Sequence, residues 1–399
     1  MGNNKMYPFT QLLMTALAAF YSKAPSLRRF LGGFFEYRGI HGVDSLLSAL
    51  HTGPDAVNVS RRIPTDNHIR KQLDGLDPTA FYPAVWDLLG MISEESGSVY
   101  RYKGMSVLVP YLGCHFSSKK IRCPVCISRV FTPERREEDQ IENFHSFAGI
   151  TLYSPLADGG FPQLPPEFLY ADDYPDVIPG FPYRASSRGA GPEPNAAEVL
   201  GRSLARTGSK FDMLDPLFIL MGPFGNWESA RALKGHPYIL KLNELETERF
   251  HSEEKEISEL ASGAQPKLRS DGTSLFTASD LYSRNLGPLL FERGHMTDSS
   301  YVRLVECPSP SGADAPPDAG SENSPFSSDV VFTTLPSDFD RSGGIMRLLA
   351  NVEAHDTVEA LDSNGFGFLK KFGHGQQTLS EVFCMLNVLA INLDVLNMS

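Results

Sequence analysis

Leu12, Leu13, Ala16, Leu17 and Phe20 share one face at helical spacing, so the chain opens with an amphipathic helix broken only by polar Gln11 and Thr15. Helical texture continues to about residue 95. Ser26 after Pro25 reads as a cap before "LRRFLGGFFEY". Thr65 or Asp66 caps a further helix, and Asp77-Pro78 opens another with proline at its first position. From about 99 the pattern changes: "SVYRYKGMSVLVPYL" and "FHSFAGITLYSPL" (144–156) read as strands. Residues 164–194 are rich in proline and glycine and read as a long loop. "NAAEVLGRSLAR" (195–206) is a helix, "PLFILMG" (216–222) a buried strand, "NWESARALKG" a helix ending at Gly235, and "PYILKLNE" (237–244) a strand. That succession is a βαβ rhythm. An acidic, solvated segment follows, then strands in "SYVRLVEC" (300–307) and "DVVFTTL" (329–335), separated by a low-apolar stretch, 308–328, expected to be disordered. Helices over 344–361 and 378–396 close the chain, the last so apolar that it must be buried. The divisions expected are a helical region 1–97, an α/β part 98–244, an insertion 245–335, and C-terminal helices 336–399.

The bulk composition, 41% hydrophobic and 21% charged, is that of a globular protein able to bury a large core. A net charge of −12 argues against a general nucleic-acid protein but permits a local basic face. Five scattered cysteines make no disulfide framework; reduced thiols in a cytoplasmic setting are expected. "LLMTALAAF" lacks a cleavage site of the secretory kind, and no apolar run reaches about 18 residues, so neither signal peptide nor membrane span is expected.

Cys114, His115, Cys123 and Cys126 cluster just after the strand "SVLVPYL". Cys123-x-x-Cys126 is half of a tetrahedral zinc site, which Cys114, His115 or His145 would complete if the fold brought them together. A redox pair needs a helix N-terminus to lower a thiol pKa, and charged "SSKKIR" stands there instead. Incomplete ligand spacing favours a third reading, a structural remnant of something else.

"FGHGQQTLSEVFCMLNVLAINL" (372–393) carries the most distinctive pattern, and it resembles the end of the DDE transposases of bacterial insertion sequences. "IPTDNHIRKQLDGLDPTAFYPAV" resembles the family's helical N-terminal region, "FSSKKIRCPVC" the segment after its first catalytic strand, "FHSFAG" the next strand, "PNAAEVL" its Asn-Ala-Ala helix and "YILKLNE" the strand after its second acid. The resemblance runs in order along nearly the whole chain. It implies an α/β fold with an RNase H-like mixed sheet flanked by helices, a helical N-terminal region for DNA binding or dimerisation, and a β-rich insertion before the last helices. It also implies cut-and-paste chemistry, in which three carboxylates hold two Mg²⁺ ions for in-line attack on a phosphodiester.

Carried over residue by residue, none of the three acids is present. The first position is Leu112 in Leu112-Gly113-Cys114, the second Gly222 in Met221-Gly222-Pro223, and the third, counted back from Phe372, Ala354. Asp356 matches an auxiliary acid of the family. The expectation is therefore a catalytically inactive transposase relative, with DNA or a second copy of itself as partner, and with neither a membrane nor a small-molecule substrate. It needs no cofactor. Candidate DNA contacts are Arg28, Arg29, Arg38, Arg61, Arg62, Arg70, Lys71, Lys119, Lys120 and His374, although a solvated helical face explains the helical charges equally well. His374 between two glycines also reads as a tight turn into the last helix. Two alternatives stand beside this. An active transposase would use Mg²⁺ on relocated acids drawn from Asp212, Asp215, Glu353 and Asp356. A zinc-stapled interaction or scaffold protein would use Cys114, His115, Cys123, Cys126 and His145.

Overall fold

The computed structural model describes residues 7–33, 64–94, 99–118, 120, 122–123, 125–131, 140–154, 161–178, 181–184, 192–250, 267–268, 274–275, 302–305, 330–335, 342–354 and 377–398. The described helices, in chain order, are α1 (Phe9–Tyr21), α2 (Leu27–Gly32), α3 (Asp66–Leu73), α4 (Tyr82–Glu94), α5 (Ala196–Thr207), α6 (Trp227–Ala232), α7 (Ser342–Ala354) and α8 (Gln377–Met398). The strands are β1 (Arg101–Tyr102), β2 (Met105–Ser118), β3 (Ile127–Phe131), β4 (Gln140–Leu152), β5 (Glu167–Leu169), β6 (Tyr183–Arg184), β7 (Pro216–Leu220), β8 (Tyr238–Lys241), β9 (Lys267–Leu268), β10 (Ser274–Leu275), β11 (Arg303–Val305) and β12 (Val331–Thr333). The chain is thus mixed α/β. It forms two compact units, Met1–Tyr100 with Leu112–Asn195 and Thr357–Ser399, and Arg101–Tyr111 with Ala196–Asp356. β2 supplies its first residues to one and its last to the other.

The first unit is organised by α8. α1, α3 and α4 pack on this helix, and its Leu379, Val382, Phe383, Leu386 and Val388 are buried. Each such side chain is worth about 1.5–3 kcal/mol relative to exposure. Capping sets the starts of the N-terminal helices: Ser26 accepts from Arg29 N–H at 3.1 Å and Thr65 from His68 N–H at 3.3 Å. Asp77-Pro78 opens a 3-10 turn, Pro78–Phe81, before α4 rather than α4 itself. Thr15 is buried without cost because its hydroxyl donates to the Gln11 carbonyl at 2.6 Å. The Thr378–Asn397 stretch is long and apolar enough to cross a membrane by length and composition, which corrects the expectation that no run reaches that length. Of its apolar window 83% is buried, the setting of a core helix.

The sheet of this unit is an antiparallel meander. β3 pairs antiparallel with β4, Ile127 opposite Phe144 and Phe131 opposite Gln140. β4 is flanked on its other side by the end of β2. His115 stands against His145 and Gly113 against Phe147, so the residue numbers sum to a constant, the signature of antiparallel neighbours. β5 adds to β4 and β6 to β3. Both lie inside 164–194, which is therefore not only a loop; the flanking prolines and glycines concealed two strands of three and two residues.

The second unit has a mixed sheet. β7 is parallel to the start of β2, with Val107 opposite Leu217, and parallel to β8, with Ile219 opposite Ile239. α6 connects β7 to β8, started by Asn226 accepting from Ser229 N–H at 2.8 Å. β12 and β11 then add antiparallel beyond β8. β7 is buried at every position, as a strand with helices on its faces should be. Trp227 packs its ring 4.7 Å from Phe332, so it is a core residue, as is buried Trp86. β1 folds onto β2 through Lys103-Gly104, both at positive φ, the geometry of a tight hairpin turn. The 308–328 stretch lies outside the described residues.

At Gly113 the Phe147 ring of β4 lies directly over β2: a Cβ there would overlap that ring, which is fully buried. Gly113→Ala is expected to destabilise the fold by about 1–3 kcal/mol. A second change, Phe147→Leu, should recover part of that in a urea-denaturation double-mutant cycle.

Candidate metal centre and the strand ends

The segment before β3 turns back on itself, with Cys126 N–H bonded to the Cys123 carbonyl at 3.2 Å. This turn brings the two sulfurs within 3.2 Å. β4 delivers His145 to the same point: its Nε2 lies 2.9 Å from Cys123 Sγ and 3.0 Å from Cys126 Sγ. The three ligand atoms form the one group of three or more His, Cys, Asp or Glu ligands, among the described residues, that could hold a metal. Cys123 and His145 are buried, and Cys126 is half-buried. On the far side of the imidazole, Nδ1 meets the Ser380 hydroxyl of α8 at 3.4 Å. A hydroxyl there fixes the ring and leaves Nε2 as the coordinating nitrogen, the arrangement that orients metal-bound histidines.

The electrostatics agree with a ligand role. Burial lowers the His145 pKa to about 4, so its imidazole is neutral and its lone pair available at physiological pH. Burial pushes the Cys126 thiol up to about 12. That is the opposite of an activated redox thiolate. β3, a strand, follows the pair, so the Cys-x-x-Cys segment does not open a helix of its own. A cation among the sulfurs would supply what burial withholds, since a coordinating thiol is deprotonated outright. Two sulfurs and one imidazole suit zinc and other borderline-soft ions rather than Mg²⁺.

The other sequence candidates divide cleanly. Cys114 is half-buried and one residue out of phase with His115, so the two point to opposite faces of β2. On that opposite face of β4, Tyr174 and Ser146 share a hydrogen bond. His115 is buried and packs its ring on His145.

At the positions the family gives to its acids, Leu112 is half-buried on β2 and Gly222 sits at positive φ in the turn after β7. Neither can hold a hard cation, and Ala354 at the end of α7 has no carboxylate either. Two of the fallback acids stand apart. Asp215 precedes β7, its carbonyl accepting from Ser106 N–H at 3.0 Å. Glu353 forms an ion pair with Lys241 at the end of β8. β7 and β8 are parallel, so Asp215 and the Lys241 that holds Glu353 lie at opposite strand ends, roughly 20 Å apart at strand rise. The two acids cannot share a metal pair. Asp212 lies in the 3-10 stretch Gly208–Leu214, and Asp356 is outside the described residues. The residues at these strand ends do not fit a two-Mg²⁺ centre.

Of the basic candidates, Arg28 and Arg29 on α2, Lys71 on α3 and Lys120 are exposed. Arg70 is engaged otherwise: it pairs with Asp66 and lies over the Phe383 ring at 5.4 Å. Arg38, Arg61, Arg62, Lys119 and His374 are outside the described residues. Ser380, 235 positions from His145, is the residue of the site that sequence reasoning missed. Only the buried position of the last helix hinted at it.

The described residues thus define a mixed α/β protein with a Cys-Cys-His group suited to a metal ion. Compared with known proteins, the chain matches no family model and no curated protein.

His145 and His115 also set the pH response of the metal-free fold. Burial lowers both pKa values below the usual 6.5. The unfolded chain therefore binds protons that the folded one refuses, and stability falls as pH drops below about 6.5 toward 4. Urea midpoints of chelator-treated protein should decline across that window, and His145→Phe should flatten the decline.

Proposed function

We propose that this chain is a transposase-related protein with an RNase H-like core, catalytically inactive, that has kept binding to DNA. The supporting observation is the strand order β3-β4-β2-β7-β8, with antiparallel strands on one side of β2 and parallel ones on the other. Such a core joins an antiparallel meander to parallel strands that alternate with helices. Leucine within β2, glycine in the turn after β7, and the Lys241–Glu353 ion pair support the loss of phosphoryl transfer. Exposed Arg28, Arg29 and Lys71 lie in the helical region the resemblance assigns to DNA.

Two measurements test this. Incubated with Mg²⁺ or Mn²⁺, the purified chain should nick neither plasmid nor terminal-repeat DNA; metal-dependent nicking abolished by Glu353→Ala would overturn the inactivity. Fluorescence anisotropy with duplex DNA should show affinity falling steeply from 50 to 200 mM salt. Arg28→Ala with Arg29→Ala should lower the slope of log K against log salt by about 1 per lost phosphate contact. Binding without salt dependence, or none at all, removes the DNA role.

The Cys123–Cys126–His145 group favours a second reading, compatible with the first: a zinc-stapled protein in which the ion is structural. Elemental analysis of protein purified without chelator should find about one zinc per chain, lost in Cys126→Ser. A metal-free sample that is folded and takes up no zinc would exclude it.

A further inference from the structure

The zinc reading leaves the fourth ligand open, and His115 is the side chain with an unexplained position. It is 2% exposed, and its Nδ1 is buried with no hydrogen-bond partner. Its surroundings are rings: His145 at 5.5 Å between centroids, Phe168 at 5.4 Å and Phe147 at 6.2 Å. Buried ring nitrogens are almost always paired, and leaving one unpaired costs about 1–3 kcal/mol. As a packing residue alone, a phenylalanine would serve better here.

We propose that His115 is the fourth ligand of a closed Cys₂His₂ zinc site with Cys123, Cys126 and His145. The inference rests on the zinc reading and goes beyond it. The three clustered atoms lie 2.9–3.2 Å apart. Around zinc, with Zn–S about 2.3 Å and Zn–N about 2.0 Å, tetrahedral ligands stand roughly 3.4–3.8 Å apart. An entering ion must therefore spread the group, and His115, on the same face with its ring 5.5 Å from that of His145, must turn inward to reach it, because its nitrogens do not lie within 4.8 Å of all three ligand atoms. Cys114 points the other way. Glu142 is committed to Arg129, with contacts of 2.7 and 3.0 Å, and to Ser117. Four protein ligands close the site to water and substrate, which makes it structural rather than catalytic. The ion would then join three separate segments: the end of β2, the turn before β3, and β4.

Zinc affinity of the full chain, measured by competition with a chromophoric chelator, tests this on wild type, His115→Phe and His115→Gly. His115→Phe suits the apolar surroundings and should keep the circular-dichroism spectrum and urea midpoint of metal-free protein, or raise the midpoint. It should weaken zinc binding by at least about tenfold, since even outer-shell losses cost 10–100-fold. In Co²⁺-loaded His115→Gly, free imidazole should restore the wild-type visible spectrum, while leaving wild type unchanged. Wild-type affinity in His115→Phe, or an imidazole-insensitive glycine variant, overturns the fourth-ligand assignment and leaves the zinc reading intact. Absence of metal uptake by wild type overturns both.

Discussion

A polar atom taken out of water must find a partner, and in the first unit that constraint falls on α8. The helix is apolar nearly all round, yet it carries buried Ser380, Glu381, Asn387 and Asn392. Most of these polar groups tie the helix to a distant segment. Asn392 pairs with both backbone groups of Gln163, accepting at 2.7 Å and donating at 2.9 Å, as a strand neighbour would. Glu381 accepts from Tyr170 at 3.1 Å, and Ser380 touches His145. A helix held only by aliphatic contacts could slide or rotate by a residue at modest cost. Here each such slip would strand amides and a carboxylate in a dry interior. The position of His145, and with it the cluster, therefore follows from the register of α8.

The same reasoning separates the two kinds of metal chemistry that this chain invites. Mg²⁺ is hard, keeps its waters and needs carboxylates gathered where strands end. The positions in question offer leucine within β2 and glycine after β7, and Glu353 on α7 is paired with Lys241 at the end of β8. Sulfur and imidazole converge instead in the antiparallel meander.

Parts of this were legible in the sequence because they are local. Caps at Ser26 and Thr65, the apolar run of β7 and the Cys-x-x-Cys spacing depend on residues within four positions of each other. His145 could be named as a candidate but not chosen, since its approach to Cys123 depends on how β4 registers against the turn before β3. The phase of β2, which sets His115 with the cluster and Cys114 against it, needs the structure: alternation says that they diverge, not which one faces His145. Arg70 read as a surface cation because nothing local reveals that Phe383, far along the chain, lies beneath it. β5 was hidden by its prolines, and its three residues gain their stability from pairing with β4 rather than from propensity.

Chain entropy explains why a staple would matter at this place. β3 is bordered by β4 on one side and by the two residues of β6 on the other, so it is close to an edge strand. Its hairpin with β4 is not made by a two-residue turn. Residues 132–139 intervene, and a longer connection is costlier to close by (3/2)RT ln n. Cys123 and His145 stand 22 residues apart, outside both ends of that connection. A metal bond between them would close the loop in advance, restricting the unfolded chain much as a disulfide does, by roughly 3 kcal/mol for a loop of this size in the entropic model. Unlike a disulfide, it forms between thiols in a reducing setting. At this place an ion would hold together strands of a meander whose connection between β3 and β4 is not a tight turn.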